Sequence, residues 1–312
     1  MVISMRIINN EVLRKNIQSI LKTNAVMLVV KDNAYGFGIC NVVNIAKAMH
    51  VRDFAVKSVS EGTFIKMIYK EANVLILGKI DPKDIKEIKK YSLIPTINDY
   101  DDYLLFKENQ IPSHLAIDTG MNRFGMKSGY LAVINDSIVK AIYTHCYDDN
   151  NSTKIKTLER LSKNYLKPVH IGGSVAYGKT KEMLRVGRII YENALYFYGQ
   201  IVNIKHLKKG ETIGYDGVYE AKGTEIVGIC NVGYSDGLNL FYHGSVCIHG
   251  AYYSVIGKCC MDHCFILIDD NVKILDEVEF FGKTIPEDEF IKQNRMTKYE
   301  MFLQINKQGL TN

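Results

Sequence analysis

The chain has no apolar run near the roughly 18 residues that a membrane helix needs, and no membrane span is expected in its 312 residues. It also has no concentrated positive face. The net charge is +5, but segments such as Asp84 to Tyr91 (DIKEIKKY) and Lys205 to Glu211 (KHLKKGE) mix acids with bases. They read as solvated surfaces, which excludes a nucleic-acid stripe. The first sixteen residues break their apolar stretch at Arg6 and have no small-residue cleavage site, so a secretory leader is not expected. Seven cysteines, an odd number in a long chain, suit reduced thiols and a cytoplasmic location better than a disulfide framework. Low-complexity linkers and sequence repeats are absent too, beyond a rhythm of short strands and helices.

With 47% hydrophobic residues the chain can bury a sizeable core. Eight short β-rich runs open at Ala25, Asp53, Asn73, Leu93, Ser113, Val139, Pro168 and Met183. Between most of them lie stretches with helical spacing, among them residues 41–50, 60–71 (opening on Ser60 as N-cap) and 157–166. The seventh connection, AYGKTKE, is too short for a good helix. Strands alternating with helices imply parallel pairing, and eight units predict a closed (β/α)8 barrel of TIM type over residues 11–195. From 196 to 312 the strands follow one another without helices, which predicts a C-terminal antiparallel β domain, with residues 1–10 as a candidate extra strand. Residues 286–306 read as one or two closing helices behind Pro286 and its acids.

In such a barrel, chemistry belongs where the strands end. Lys31, the segment Asp118 to Arg123 (DTGMNR), His145, the segment His170 to Ser174 (HIGGS) and Arg185 all fall at or near predicted strand ends. A lysine in a mostly apolar cleft suits covalent capture of a carbonyl, because desolvation disfavours its charged form. Paired glycines let backbone approach a ligand, and Ser174 can donate to an anion. The thiol cluster Cys259 to Cys264 (CCMDHC) lacks a second pair at finger-like spacing, so metal is not expected there. Gly36 and Gly38 open no dinucleotide fingerprint, since Asn41 stands at its third glycine.

AVMLVVKDNAYGFG (from Ala25) resembles the pyridoxal-phosphate motif of the alanine racemase family. IDTGMNRFG, YTHCY, HIGGSVA, LRVGRIIY, ETIGYDGVYEA, NVGYSDGL, GKCCMDH and TKYEMFLQI continue the resemblance in order over nearly the whole chain. The resemblance implies an amino-acid racemase, alanine first, with pyridoxal 5'-phosphate as cofactor and a homodimer sharing its active sites. It implies Lys31 and Tyr215 as the two catalytic bases, Tyr215 coming from the partner subunit. Tyr35, Ser174, Gly187 and Arg188 would hold the phosphate, and Arg185, backed by His145, would face the pyridine nitrogen. Arg123, Met261 and Asp262 would receive the substrate, with Tyr234 at the entry.

Two positions depart from the family pattern. Ala116 stands where many members carry a carbamylated lysine that braces the carboxylate arginine, and Lys307 stands where a phosphate-binding tyrosine is usual. Three alternatives stay open at this point: a racemase for another amino acid such as serine, a fold-related decarboxylase, and a non-catalytic pyridoxal-phosphate-binding protein. Arg185 argues against the decarboxylase, and the β domain argues against the single-domain binding protein.

Overall fold

The computed structural model of the protein describes residues 5–147 and 151–305. Two compact units emerge, Leu13–Tyr191 and the combination of Met1–Val12 with Glu192–Asn312. Lys307 lies outside the described residues.

Leu13–Tyr191 is a closed barrel of eight parallel strands. With β1 (Met5–Ile8) belonging to the other unit, these are β2 (Val26–Val29), β3 (Asp53–Val56), β4 (Asn73–Ile76), β5 (Ile94–Ile97), β6 (Ser113–Ala116), β7 (Val139–His145), β8 (Val169–Gly172) and β9 (Met183–Val186). They pair in chain order, and β9 closes on β2 with Met27 opposite Arg185 and Leu28 opposite Val186. β2 and β8 are buried along their whole length, as parallel strands covered on both faces must be, which is why they read as continuous apolar runs rather than alternation. All eight lie where the sequence predicts them.

The connecting helices match less evenly. Ile39–Ala48 and Val59–Ile68 stand close to the expected 41–50 and 60–71, and Asn151–Tyr165 begins six residues before the expected 157. The N-cap of Val59–Ile68 is Ser58, not Ser60. Ser58 has extended backbone and its Oγ accepts from the Glu61 N–H at 3.3 Å, whereas Ser60 already sits in the first turn. After β8 the chain makes only a single 3-10 turn, Ser174–Ala176, before β9, as the short seventh connection suggests. A helix that the sequence reading omits, Asn10–Leu21, buries Leu13, Ile17 and Ile20 at the spacing of one helical face.

The second unit is a seven-stranded antiparallel sheet in the order β1, β10 (Leu195–Leu207), β13 (Glu225–Cys230), β16 (Cys264–Ile268), β15 (Ala251–Ile256), β14 (Ser245–Ile248), β17 (Glu277–Phe281), and β17 pairs again with β10. A two-stranded ribbon, β11 (Thr212–Ile213) with β12 (Tyr219–Glu220), stands apart. β10 serves two neighbourhoods, and its ladder with β13 shifts register between Ile201 and Asn203. Its first half pairs with β1 and β17, its second with β13. Phe197, Phe280, Phe281 and Phe290 fill the core beside it, fully buried, and the helices Glu287–Asn294 and Lys298–Ile305 close the chain.

Arg6, on β1, donates to Asp236 Oδ1 at 2.8 Å, with side-chain exposures of 12% and 6%. Asp236 Oδ2 accepts from the Gly233 N–H at 3.0 Å, so this pair also fixes the turn carrying Tyr234. Removing one partner of a buried pair leaves the other charge unsolvated. Asp236→Ala is expected to cost about 3 kcal/mol of stability, read as a fall in the urea midpoint followed by circular dichroism. An unchanged midpoint would show that Arg6 finds other compensation.

Candidate active site

Lys31 follows β2 after Val30, and the chain then does something its sequence does not announce. Asp32, Asn33, Ala34 and Tyr35 all have φ between 53° and 55°, a left-handed turn built without glycine. Each such residue costs on the order of 1 kcal/mol, so the turn needs external support. Glu61 supplies it: Oε1 accepts from the Asp32 N–H at 2.6 Å and Oε2 from the Lys57 N–H at 3.0 Å. The Lys57 ammonium pairs with the Asp32 carboxylate. Asn33 Oδ1 accepts from the Ile39 N–H at 2.8 Å, tying the turn to the next helix. The ends of β2 and β3 are thus held together at the position of Lys31.

The turn folds Tyr35 back against β9. Its ring lies 5.1 Å from that of Tyr191, and a Cβ on Gly187 would stand 2.6 Å from its hydroxyl. Only glycine leaves that room. Across the same region Ser174 Oγ accepts from the Ile189 N–H at 3.3 Å. Tyr35, Ser174, Gly187 and the start of the turn Arg188–Tyr191 therefore form one neighbourhood that can meet an anion with hydroxyls and backbone N–H groups.

Arg185, on β9, is 4% exposed. Its Nη1 donates to His170 Nδ1 at 2.8 Å, its Nη2 to the Thr144 carbonyl at 3.3 Å, and its guanidinium carbon lies 4.2 Å from the centroid of the Tyr143 ring. The family resemblance implies His145 as its support, but the hydrogen-bonded partner is His170, expected from the sequence only as part of a glycine loop. His145 is still a close neighbour. A Cβ on Gly172 would stand 2.2 Å from Arg185 Nη2 and 2.9 Å from His145 Nδ1. Burial first, then the charges of Arg185, Arg123 and Lys31, pull the pKa of His145 down to about 3.

Arg123 lies on the loop after β6, exposed. Asp118 Oδ1 accepts from the N–H groups of Gly120 (2.9 Å) and Asn122 (3.1 Å), and Met126 donates to the Ala116 carbonyl at 2.9 Å, so the motif is a pinned loop. The buried methyl of Ala116 offers the guanidinium no acceptor.

The remaining expected site residues lie in the β unit. Gly214, Tyr215, Cys260, Met261, Asp262 and His263 line a depression of about 430 Å³. Tyr215 and Met261 are 66% and 55% exposed. The Tyr234 segment interlocks with this loop: Tyr234 donates its N–H to the Cys260 carbonyl (3.1 Å), Ser235 to that of Met261 (2.9 Å), and Ser235 Oγ to Asp262 Oδ1 (3.0 Å). Among the described residues no group of three or more His, Cys, Asp or Glu is arranged to hold a metal, and no helix is long and apolar enough to cross a membrane.

The sequence profile for the N-terminal domain of alanine racemase matches residues 8–194, and that for its C-terminal domain matches residues 194–309. The chain is 30% identical to alanine racemase of Aquifex pyrophilus, over 76% of each chain. It is 28% identical to that of Borreliella burgdorferi, over 90% of this chain and 88% of the other. In fold it is similar to the biosynthetic alanine racemase of Pseudomonas aeruginosa (TM-score 0.88, 18% identity, 98% and 97% of the two chains) and to that of E. faecalis (TM-score 0.86, 22% identity, 98% of each).

The barrel histidines make stability depend on pH. The folded pKa of His145 lies near 3, far below the ordinary 6.5 of the unfolded chain, so on acidification the unfolded state takes up a proton that the fold refuses. Stability is full above about pH 6.5 and falls as the pH drops toward 3, with a slope approaching about 1.4 kcal/mol per pH unit for one proton. His145→Gln should flatten the fall of the urea midpoint between pH 7 and pH 5. An unchanged slope would show that His145 is protonated in the fold.

Proposed function

The chain belongs to the alanine racemase family, whose members depend on pyridoxal 5'-phosphate, and we propose that it interconverts L- and D-alanine with that cofactor held on Lys31. The observation that carries this reading is the grouping of Lys31, the Tyr35–Ser174–Gly187 neighbourhood and buried Arg185 at adjoining strand ends of one barrel. The hydroxyls of Tyr35 and Ser174, beside the backbone at Gly187 and Ile189, suit a phosphate. The Arg185 cation suits a ring nitrogen, and β2 beside β9 sets the Lys31 amine near both.

When bound, the pyridoxal ring withdraws electrons from an attached amino acid and acidifies its α-hydrogen. Racemisation then needs a proton removed on one face and returned on the other. Lys31 serves one face at its Nζ. Tyr215 serves the other at its hydroxyl, supplied by a second copy of the chain, a role supported by its exposure on an open depression. Arg185 stays protonated and so discourages the ring nitrogen from taking a proton. That keeps negative charge near the α-carbon and limits transamination. His145 is neutral at pH 7 and adds no second charge there. Arg123 and the Met261 N–H receive the substrate carboxylate beside Asp262, Ser174 with the backbone of Gly187 and Arg188 binds the phosphate, and Tyr234 lines the entry.

Purified protein supplied with pyridoxal 5'-phosphate should abolish the circular dichroism of either alanine enantiomer at equilibrium, and borohydride should fix the cofactor on Lys31. Label on another lysine would overturn the assignment. For the shared site, mixing inactive Lys31→Ala and Tyr215→Phe chains should restore activity, because one of two mixed sites is then native. Absence of rescue after confirmed subunit exchange would place both bases in one chain.

A further inference from the structure

The hydrogen bond from Arg185 does not stop at His170. His170 Nε2 lies 3.0 Å from His114 Nδ1, so a chain runs from β9 through β8 to β6 across the barrel interior. Its direction is forced. A guanidinium has no acceptor, so His170 Nδ1 must be bare and its proton must sit on Nε2. That proton then points at His114 Nδ1, which must be bare in its turn. Each ring is neutral, and each tautomer follows from the one before it.

The surroundings reinforce this. The Tyr143 ring stacks on His170 at 4.6 Å and lies under the Arg185 guanidinium at 4.2 Å. Thr96 Oγ1 donates to the Ile76 carbonyl (2.7 Å), so at 3.1 Å it can only accept from the Tyr143 hydroxyl. Tyr143 therefore has no proton left to donate to a nitrogen of either histidine. Burial, then the Arg185 charge, lowers the pKa of His114 to about 4 and holds that of His170 well below its ordinary value, so both rings are neutral near pH 7.

We propose that His114 is a positioning residue for the cofactor site. By accepting from His170 it fixes the tautomer that receives Arg185, and so sets the guanidinium plane toward the ring nitrogen. If His170 turned over to the other tautomer, an N–H would face an N–H and Arg185 would be pushed off β8. His114 touches neither substrate nor cofactor in this scheme. The catalytic consequence rests on the role given to Arg185 under the proposed function; the tautomer chain does not.

The two parts can be tested separately. In cofactor-free protein labelled with 15N-histidine, two-bond 15N–1H spectra should show His170 protonated at Nε2 alone, its signals assigned by their loss in His170→Asn. His114→Phe, or His114→Leu should the phenylalanine variant not fold, should broaden or split the His170 signals. His114→Asn keeps an acceptor near the Nδ1 position and should restore the single tautomer. In loaded enzyme the apolar variant should lower kcat by roughly tenfold with little change in KM, since the loss falls on the reacting state, and should shift the visible absorption of the bound cofactor. His114→Asn should recover most of both. An unaltered His170 tautomer in the apolar variant, or an apolar variant with native kcat and absorption, would overturn the proposal. A wild-type protein without racemase activity would instead overturn the functional reading while the tautomer result stood.

Discussion

A guanidinium buried inside a barrel with no carboxylate against it is the constraint to which the rest of the site responds. Arg185 forms no ion pair among the described residues; its partners are an imidazole nitrogen, a carbonyl and an aromatic face. Taking such a cation out of water costs several kcal/mol, and dipoles offset this only if every neighbour turns its negative end inward. That requirement makes His170 and His114 neutral, stacks Tyr143 beneath the charge, and permits only glycine at 172. It also leaves a positive potential at the barrel mouth, where Lys31 and Arg123 add to it. His145 is kept neutral first by its burial and then by that field.

The second constraint is the left-handed turn after Lys31. Four non-glycine residues in that region would relax in isolation, so the strain persists only because the surroundings over-determine it. Glu61 is central here, since one carboxylate holds the N–H groups of Asp32 and Lys57 on two different strand ends. The same residue lies in the first turn of Val59–Ile68, where its own N–H is capped by Ser58. A helix start is thereby used as a brace for the segment that aims Lys31 and Tyr35. The backbone energy stored in the turn goes into rigidity where the two side chains need fixed directions.

These two features also mark where sequence reading reaches its limit. The eight barrel strands are legible because burial on both faces writes each as a short apolar run, and the site motifs because glycines, a lysine and an arginine interrupt those runs at fixed places. The helix Asn10–Leu21 goes unpredicted despite its regular Leu13, Ile17 and Ile20, because the rest of that short segment is mostly polar. His114 looks like an ordinary strand residue and His170 only like the start of a glycine loop: their pairing arises from partners 56 positions apart, which no local pattern encodes. Likewise DNAY carries no sign of four positive φ values, because the cause lies in Glu61, far along the chain. The choice of Ser58 over Ser60 turns on one residue of helix phase, below the resolution of a propensity argument.

The two groups proposed as bases are held in different ways, and the difference follows from what each must do. Lys31 follows a strand and precedes a braced turn, so its approach is fixed by the barrel itself. Tyr215 sits in a 3-10 turn after Gly214, with Asp216 at φ 64° paired to Lys258 at 2.7 Å, and its ring stays largely open to solvent. A Cβ on Gly214 would stand 2.7 Å from the Phe265 ring, so the turn lies flat on β16 and lifts Tyr215 away from its own sheet. A tyrosine meant only for packing would not be raised in this manner, because burying its ring within the unit would be worth about 2 kcal/mol. Its exposure suits the proposed role, in which a second copy of the chain would cover that apolar area and take up the hydroxyl.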